Sequence, residues 1–77
     1  MKSEIILKNG YSFQFRKSSW RPDKEVVELF DPNGEYVKTS LFHVLPGLEY
    51  NEIISEAKLN YSLYGLPNDL SYKDILP

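Results

Sequence analysis

Ser3-Glu4-Ile5-Ile6-Leu7-Lys8-Asn9-Gly10-Tyr11-Ser12-Phe13-Gln14-Phe15-Arg16 is the stretch on which the fold turns. Two apolar runs flank Asn9-Gly10, a strong short-range hairpin signal. Two registers compete for it. A two-residue turn pairs Lys8 with Tyr11 and Ile6 with Phe13, leaving Ile5 and Leu7 on the face opposite Tyr11, Phe13 and Phe15. A three-residue loop, Lys8-Asn9-Gly10, with a type I turn and Gly10 left-handed in a bulge, pairs Leu7 with Tyr11 and Ile5 with Phe13. All five apolar residues then share one face. A one-residue slip moves every side chain to the other side, so the hydrophobic pattern selects the bulged turn. Strands are expected at about 3–7 and 11–16.

A second segment has the same form. Proline suits the first corner of a type I turn and glycine the left-handed position after it, so Asp31-Pro32-Asn33-Gly34 predicts a hairpin with strands at about 25–31 and 35–39. Its register sets Phe30 opposite Tyr36, Leu29 opposite Val37, and Glu28 opposite Lys38 as a cross-strand ion pair. Val27, Leu29 and Val37 then join the face of the first hairpin. Val26, Phe30 and Tyr36 take the other face. Asp31 opposite Glu35 is a like-charge conflict that the pattern leaves unexplained.

Residues 49–64 carry the convincing helix. Tyr50, Ile53, Ile54, Ala57, Tyr61 and Tyr64 fall within an arc about 100° wide at helical spacing. Glu49 and Glu52 suit the positive end of the helix dipole, and Gly65 followed by Pro67 supplies the stop. No favoured N-cap residue precedes this helix. Residues 40–48 read either as more strand or as a short helical turn before Pro46. The tail, 66–77, contains one further helical turn capped by Asp69 or Ser71, or docks extended through Leu70, Tyr72, Ile75 and Leu76. The expected fold is a single α+β domain over 1–77. It consists of a small antiparallel sheet of two β-hairpins (ββββ) with one C-terminal amphipathic helix packed on one face. A lone helix covers one face, so the other must be wet, paired with a partner, or covered by the tail.

The chain has 77 residues, no cysteine, 42% hydrophobic residues and a formal net charge of −2. Neither a disulfide framework nor a thiolate zinc site is therefore expected. No apolar run approaches the ~18 residues of a membrane span, and Met1 to Glu4 does not read as the start of a signal peptide, so a cytoplasmic location is expected. Charge is segregated: residues 1–24 hold six cations and two acids, and residues 25–77 hold three cations and nine acids.

Catalytic signals are weak. Nucleophilic catalysis needs a nucleophile, a base beside it and a group to orient that base. The single histidine, His43, lies inside Leu41-Phe42-His43-Val44-Leu45, where a hydrogen-bonded structural role is the expectation. Asp31-Pro32-Asn33-Gly34-Glu35 lacks the remaining positions of a calcium loop, and no phosphate-binding or dinucleotide fingerprint is present. No enzyme activity, catalytic residue, metal site or cofactor is expected.

Three surfaces remain as candidates for contact. Trp20, Arg21, Val26, Phe30, Tyr36 and Lys38 form the leading partner-binding set, because aromatics on an uncovered sheet face dominate interface energetics. Arg16, Lys17, Trp20 and Arg21 form an alternative nucleic-acid contact, where cations would grip the backbone and tryptophan stack a base. Glu49, Glu52 and Glu56 fall on one helix stripe, with Leu59 and Leu63 beside it, as an alternative contact for a basic surface. The functional expectation is a non-enzymatic protein-binding module, such as a small bacterial or phage accessory or inhibitor protein that occludes a partner surface. Nucleic-acid binding through the Trp20 loop and a structural homodimer are the alternatives.

Overall fold

The computed structural model describes residues 4–67 and 69–77. The first strand is expected to start at Ser3, which lies outside the described residues, as do Met1, Lys2 and Asn68 of the tail. The chain forms β1 (Glu4–Ile6), β2 (Ser12–Lys17), β3 (Glu25–Phe30), β4 (Phe42–Val44) and α1 (Tyr50–Tyr64). The four strands make one antiparallel sheet in the order β1-β2-β3-β4, and with the helix this is a small α+β fold.

The first hairpin takes the register that the hydrophobic pattern selected, with Ile5 opposite Phe13 and Ile6 opposite Ser12. Its turn is built differently from the expectation. Asn9 (φ 61°, ψ 22°) and Gly10 (φ 84°) are both left-handed, the dihedral signs of a type I′ turn. The Tyr11 amide donates to the Lys8 carbonyl at 3.4 Å, and the Leu7 amide donates to the Tyr11 carbonyl at 2.6 Å. Leu7 and Lys8 therefore both face Tyr11, and the extra residue sits on the incoming strand instead of at Gly10. Asparagine tolerates the left-handed region, so the Asn-Gly turn keeps its preferred shape and the slip is absorbed beside it.

The second hairpin departs further. Tyr36 makes a single bridge to Phe30, and the fourth strand is Phe42–Val44 rather than 35–39. Val27 lies opposite Phe42 and Val26 opposite His43, so three extra residues lie between Tyr36 and the resumed pairing. Ser40, 1% exposed, ties this excursion together. Its hydroxyl donates to the Val37 carbonyl (2.6 Å) and accepts from the Leu29 amide (3.3 Å), while its carbonyl accepts from the Tyr61 hydroxyl (3.0 Å). The expected Glu28–Lys38 pair does not form, because the excursion carries Lys38 off the sheet. Glu28 instead pairs with Arg16 at 3.1 Å. The Asp31–Glu35 conflict resolves through the turn: the Asp31 carboxylate accepts the Asn33 and Glu35 amides at 2.9 Å each.

α1 begins at Tyr50, with Glu49 as its cap residue, and the Glu52 carboxylate accepts the Glu49 amide at 2.9 Å. This reciprocal bond supplies the start signal that sequence reading did not find. The Gly65 amide closes the other end on the Tyr61 carbonyl at 2.9 Å. Ile53, Ile54, Ala57 and Tyr61 are buried, whereas Tyr64, expected on the same stripe, is 82% exposed in the last turn. The core lies between α1 and the face carrying Ile5, Leu7, Phe13, Val27, Leu29 and Val37. Phe42 joins it, edge-on to both Phe13 and Tyr61 at 5.7 Å. The tail completes the same side. Ser71 accepts the Lys73 amide (3.2 Å) at the start of a short 3-10 turn, the Asn9 side chain donates to the Asp74 carbonyl (2.6 Å), and Ile75 and Leu76 are buried in the core. No helix among the described residues is long and apolar enough to cross a membrane.

Candidate interaction surface

Because strand side chains alternate, the pairing registers also define the face that α1 leaves open. Its rows are Ile6, Ser12, Phe30 and Tyr36; then Glu4, Gln14 and Glu28; then Arg16, Val26 and His43. Phe42 and the tail residues Ile75 and Leu76 lie in the core on the far side, and the tail comes near the open face only where Pro67 and Leu70 share a groove with Tyr36.

At one end, Ile6 is 66% and Tyr36 37% exposed, flanking a half-buried Phe30. The Phe30 and Tyr36 rings are 5.8 Å apart. Partial burial and the Glu28 carboxylate raise the Tyr36 hydroxyl above its ordinary value, opposed by Arg16 and by a hydrogen bond to Ser40.

The other end is organised by the loop 18–24, which folds back on β4. The Ser18 hydroxyl lies 3.3 Å from His43 Nε2 and accepts the Arg21 amide at 3.0 Å. The Trp20 ring stands edge-on to the His43 ring at 5.4 Å, with the Arg21 guanidinium 5.7 Å from the indole centroid. This corner buries Val26 to 2% exposure. Val26 therefore supports the surface and offers none of its own, a correction to its place in the expected contact set. Trp20 remains 72% exposed, and Leu41 and Leu45, which flank β4, are 42% and 55% exposed.

The open face is thus two apolar islands with a polar row between them. Ile6, Phe30 and Tyr36 form the first, Trp20 with Leu41 and Leu45 the second, and Gln14, Glu28 and Arg16 lie across the middle. Lys38 lies off the sheet and shares with Tyr36 a groove of about 530 Å³ that Tyr11, Asp31, Glu35, Val37, Pro67 and Leu70 also line.

Sequence reading did not bring Ser18 to His43, because no pattern links residues 25 positions apart. Ser18 is 3% exposed and its hydroxyl is already shared with the Arg21 amide, so the contact fastens the loop and presents no accessible nucleophile. No group of three or more His, Asp or Glu among the described residues is arranged to hold a metal ion.

The nucleic-acid set does not share one face. Arg16 projects outward and is held by Glu28, while Lys17, next along the strand, falls on the opposite side, across from Glu25. Only Trp20 and Arg21 meet. On the helix, Glu49 lines a groove of about 400 Å³ with Phe15, Glu25, Pro46, Gly47, Leu48 and Ile53. Glu52 and Glu56 line an adjoining groove of about 320 Å³ with Leu48, Asn51 and Ser55. No protein-family model, curated protein or solved structure matches this chain.

Proposed function

We propose that the protein is a binding module whose open sheet face docks on another protein and occludes the surface it covers. The observation that carries this reading is the Ile6–Phe30–Tyr36 island. Ile6 and Tyr36 stay exposed beside a half-buried Phe30, in a chain that places its other strand hydrophobics, Val26 apart, against one helix and its own tail. The Arg16–Glu28 pair beside the island supplies directional polar contact at the rim, and Trp20 with Arg21 extends the footprint to a second anchor. Aromatic and arginine side chains of this kind carry most of the energy in protein interfaces, at ~2 kcal/mol or more each. The Ser18 hydroxyl beside His43 is buried and already shared with the Arg21 amide, which supports a binding role over a catalytic one.

The test compares capture by surface variants that leave the core alone. Tyr36→Ser and Ile6→Lys should each weaken capture of a bound protein by about 30-fold, the equivalent of ~2 kcal/mol. Leu63→Lys, on the exposed back of α1, should leave capture unchanged. Equal capture by all three variants refutes this face as the docking surface.

A further inference from the structure

The end of the sheet where β2 leaves and β3 enters carries unpaired charge of both signs. On one side, the loop 18–24 presents Arg21 against the exposed Trp20, with Lys24 at its end and Asp23 between the two cations. On the other, the two grooves along the start of α1 meet at Leu48 and form a trough. Its floor is apolar (Phe15, Leu48 and Ile53), its charged lining is Glu25, Glu49, Glu52 and Glu56, and no cation lines it. Arg16–Glu28 is the one ion pair among the described residues; Lys17 stands across the strands from Glu25, while Arg21, Lys24, Glu49, Glu52 and Glu56 make no ion pair among the described residues.

The two features are chemically complementary. A tryptophan ring with a guanidinium against it suits an apolar floor rimmed by carboxylates, since long cationic side chains lay their stems on apolar surface and leave their heads at the rim. They are also adjacent, because Lys24 precedes Glu25 in the chain and the Ser18 amide bonds to the Lys24 carbonyl at 3.4 Å. A basic knob beside an acidic trough is self-complementary about a two-fold axis passing between them. Rotation lays each knob on the other copy's trough, which makes a closed contact with no tendency to polymerise.

We propose that a second copy of this chain is the occupant: a two-fold dimer forms with each 18–24 loop seated in the partner's Phe15–Leu48–Ile53 trough, held by Arg21 and Lys24 against Glu25 and Glu56. The inference does not use the Ile6–Phe30–Tyr36 island, whose variants touch neither element; it does take up the Trp20–Arg21 anchor, which in the dimer is seated on the second copy instead of on another protein.

Charge exchange tests it in solution. Sedimentation of the wild-type chain should show a dimer at low salt that dissociates as salt is added, since exposed pairs are screened. The double variant Glu25→Lys/Glu56→Lys leaves the Glu49–Glu52 helix cap intact and should be monomeric, as should Arg21→Glu/Lys24→Glu. Mixed together, the two should form a one-to-one heterodimer, because each loop then meets a trough of opposite sign. The recovered association shows that both variants are folded, and the single exposed change Arg21→Glu should weaken self-association by about 10-fold or more. A wild-type chain that stays monomeric, a dimer indifferent to both reversals, or a mixture that fails to associate overturns the proposal. So does a trough that binds a separate lysine- and arginine-rich peptide while the chain remains monomeric.

Discussion

Asn9-Gly10 and Asn33-Gly34 sit in segments of the same form, yet the hairpins they begin end differently. The first continues as a paired ladder along β1 and β2. The second closes one bridge, Phe30 to Tyr36, and then leaves the sheet, so that pairing resumes at Phe42 with its register shifted by three residues. Turn chemistry was satisfied in both places, so the difference arises after the turn. Continued pairing would have set Thr39 opposite Val27 and carried Leu41 to the core face. The excursion delivers Phe42 and Val44 there instead, at 3% exposure each, and full burial of such side chains is worth ~1.5–3 kcal/mol apiece. Local geometry selects a turn. The core selects which residues follow it.

The largest effect that would break this contrast is expected at Ser40. Ser40→Ala removes the hydroxyl that serves the Leu29 amide and the Val37 carbonyl; the carbonyl keeps the Ser40 backbone amide, but the Leu29 amide is left buried and unpaired, at a cost of about 1–3 kcal/mol. Urea unfolding measures it. A loss below ~0.5 kcal/mol would show that the excursion does not depend on this knot.

The turns themselves supply a smaller and sharper comparison. Gly10 and Gly34 have matching φ values, 84° and 85°, so Gly→Ala carries the same left-handed penalty of ~1–2 kcal/mol at each. A Cβ on Gly10 would lie 3.2 Å from the Pro32 side chain, whereas one on Gly34 meets nothing within 4 Å. Gly10→Ala should therefore cost more, because the first turn packs against the second. Equal losses would show that Pro32 yields freely.

The smallest effect at neutral pH concerns Tyr61, whose hydroxyl anchors the excursion to the helix. Tyr61→Phe should cost about 1 kcal/mol at pH 7. Burial pushes the Tyr61 hydroxyl well above its ordinary value of 10.0, with Tyr36 adding to the shift. The unfolded chain then releases this proton at a lower pH than the folded chain does. Stability from the neutral phenol is complete below pH 10 and falls as pH climbs past it, by about 1.4 kcal/mol per unit. Phenylalanine does not titrate, so the gap between wild type and Tyr61→Phe should narrow above pH 10. A constant gap would mean that Tyr61 ionises as readily in the folded protein as in the unfolded one.

These residues also mark what could be read in advance. Ile5, Leu7, Phe13, Val27 and Leu29 announce a common face through strict alternation, and Ile53, Ile54, Ala57 and Tyr61 do so through helical spacing. The site was harder to read. Trp20 and Arg21 stand out as an aromatic–cation pair in sequence, but their docking on His43 through Ser18 joins residues with no periodic relation. Val26 and Tyr36 belong to one face by alternation, and nothing local distinguishes the one that the 18–24 loop seals from the one left in solvent.

Sequence alone determined the turn positions, the register of the first hairpin and the buried stripe of the helix, because each depends on side chains close together in the chain. Only the tertiary structure decided that Phe42 would replace Thr39 beside Val27, that Glu28 would hold Arg16 instead of Lys38, and that the open face would divide into two islands. Each of those outcomes compares burial or pairing among elements far apart in sequence, and that balance exists only once the sheet, the helix and the tail have packed together.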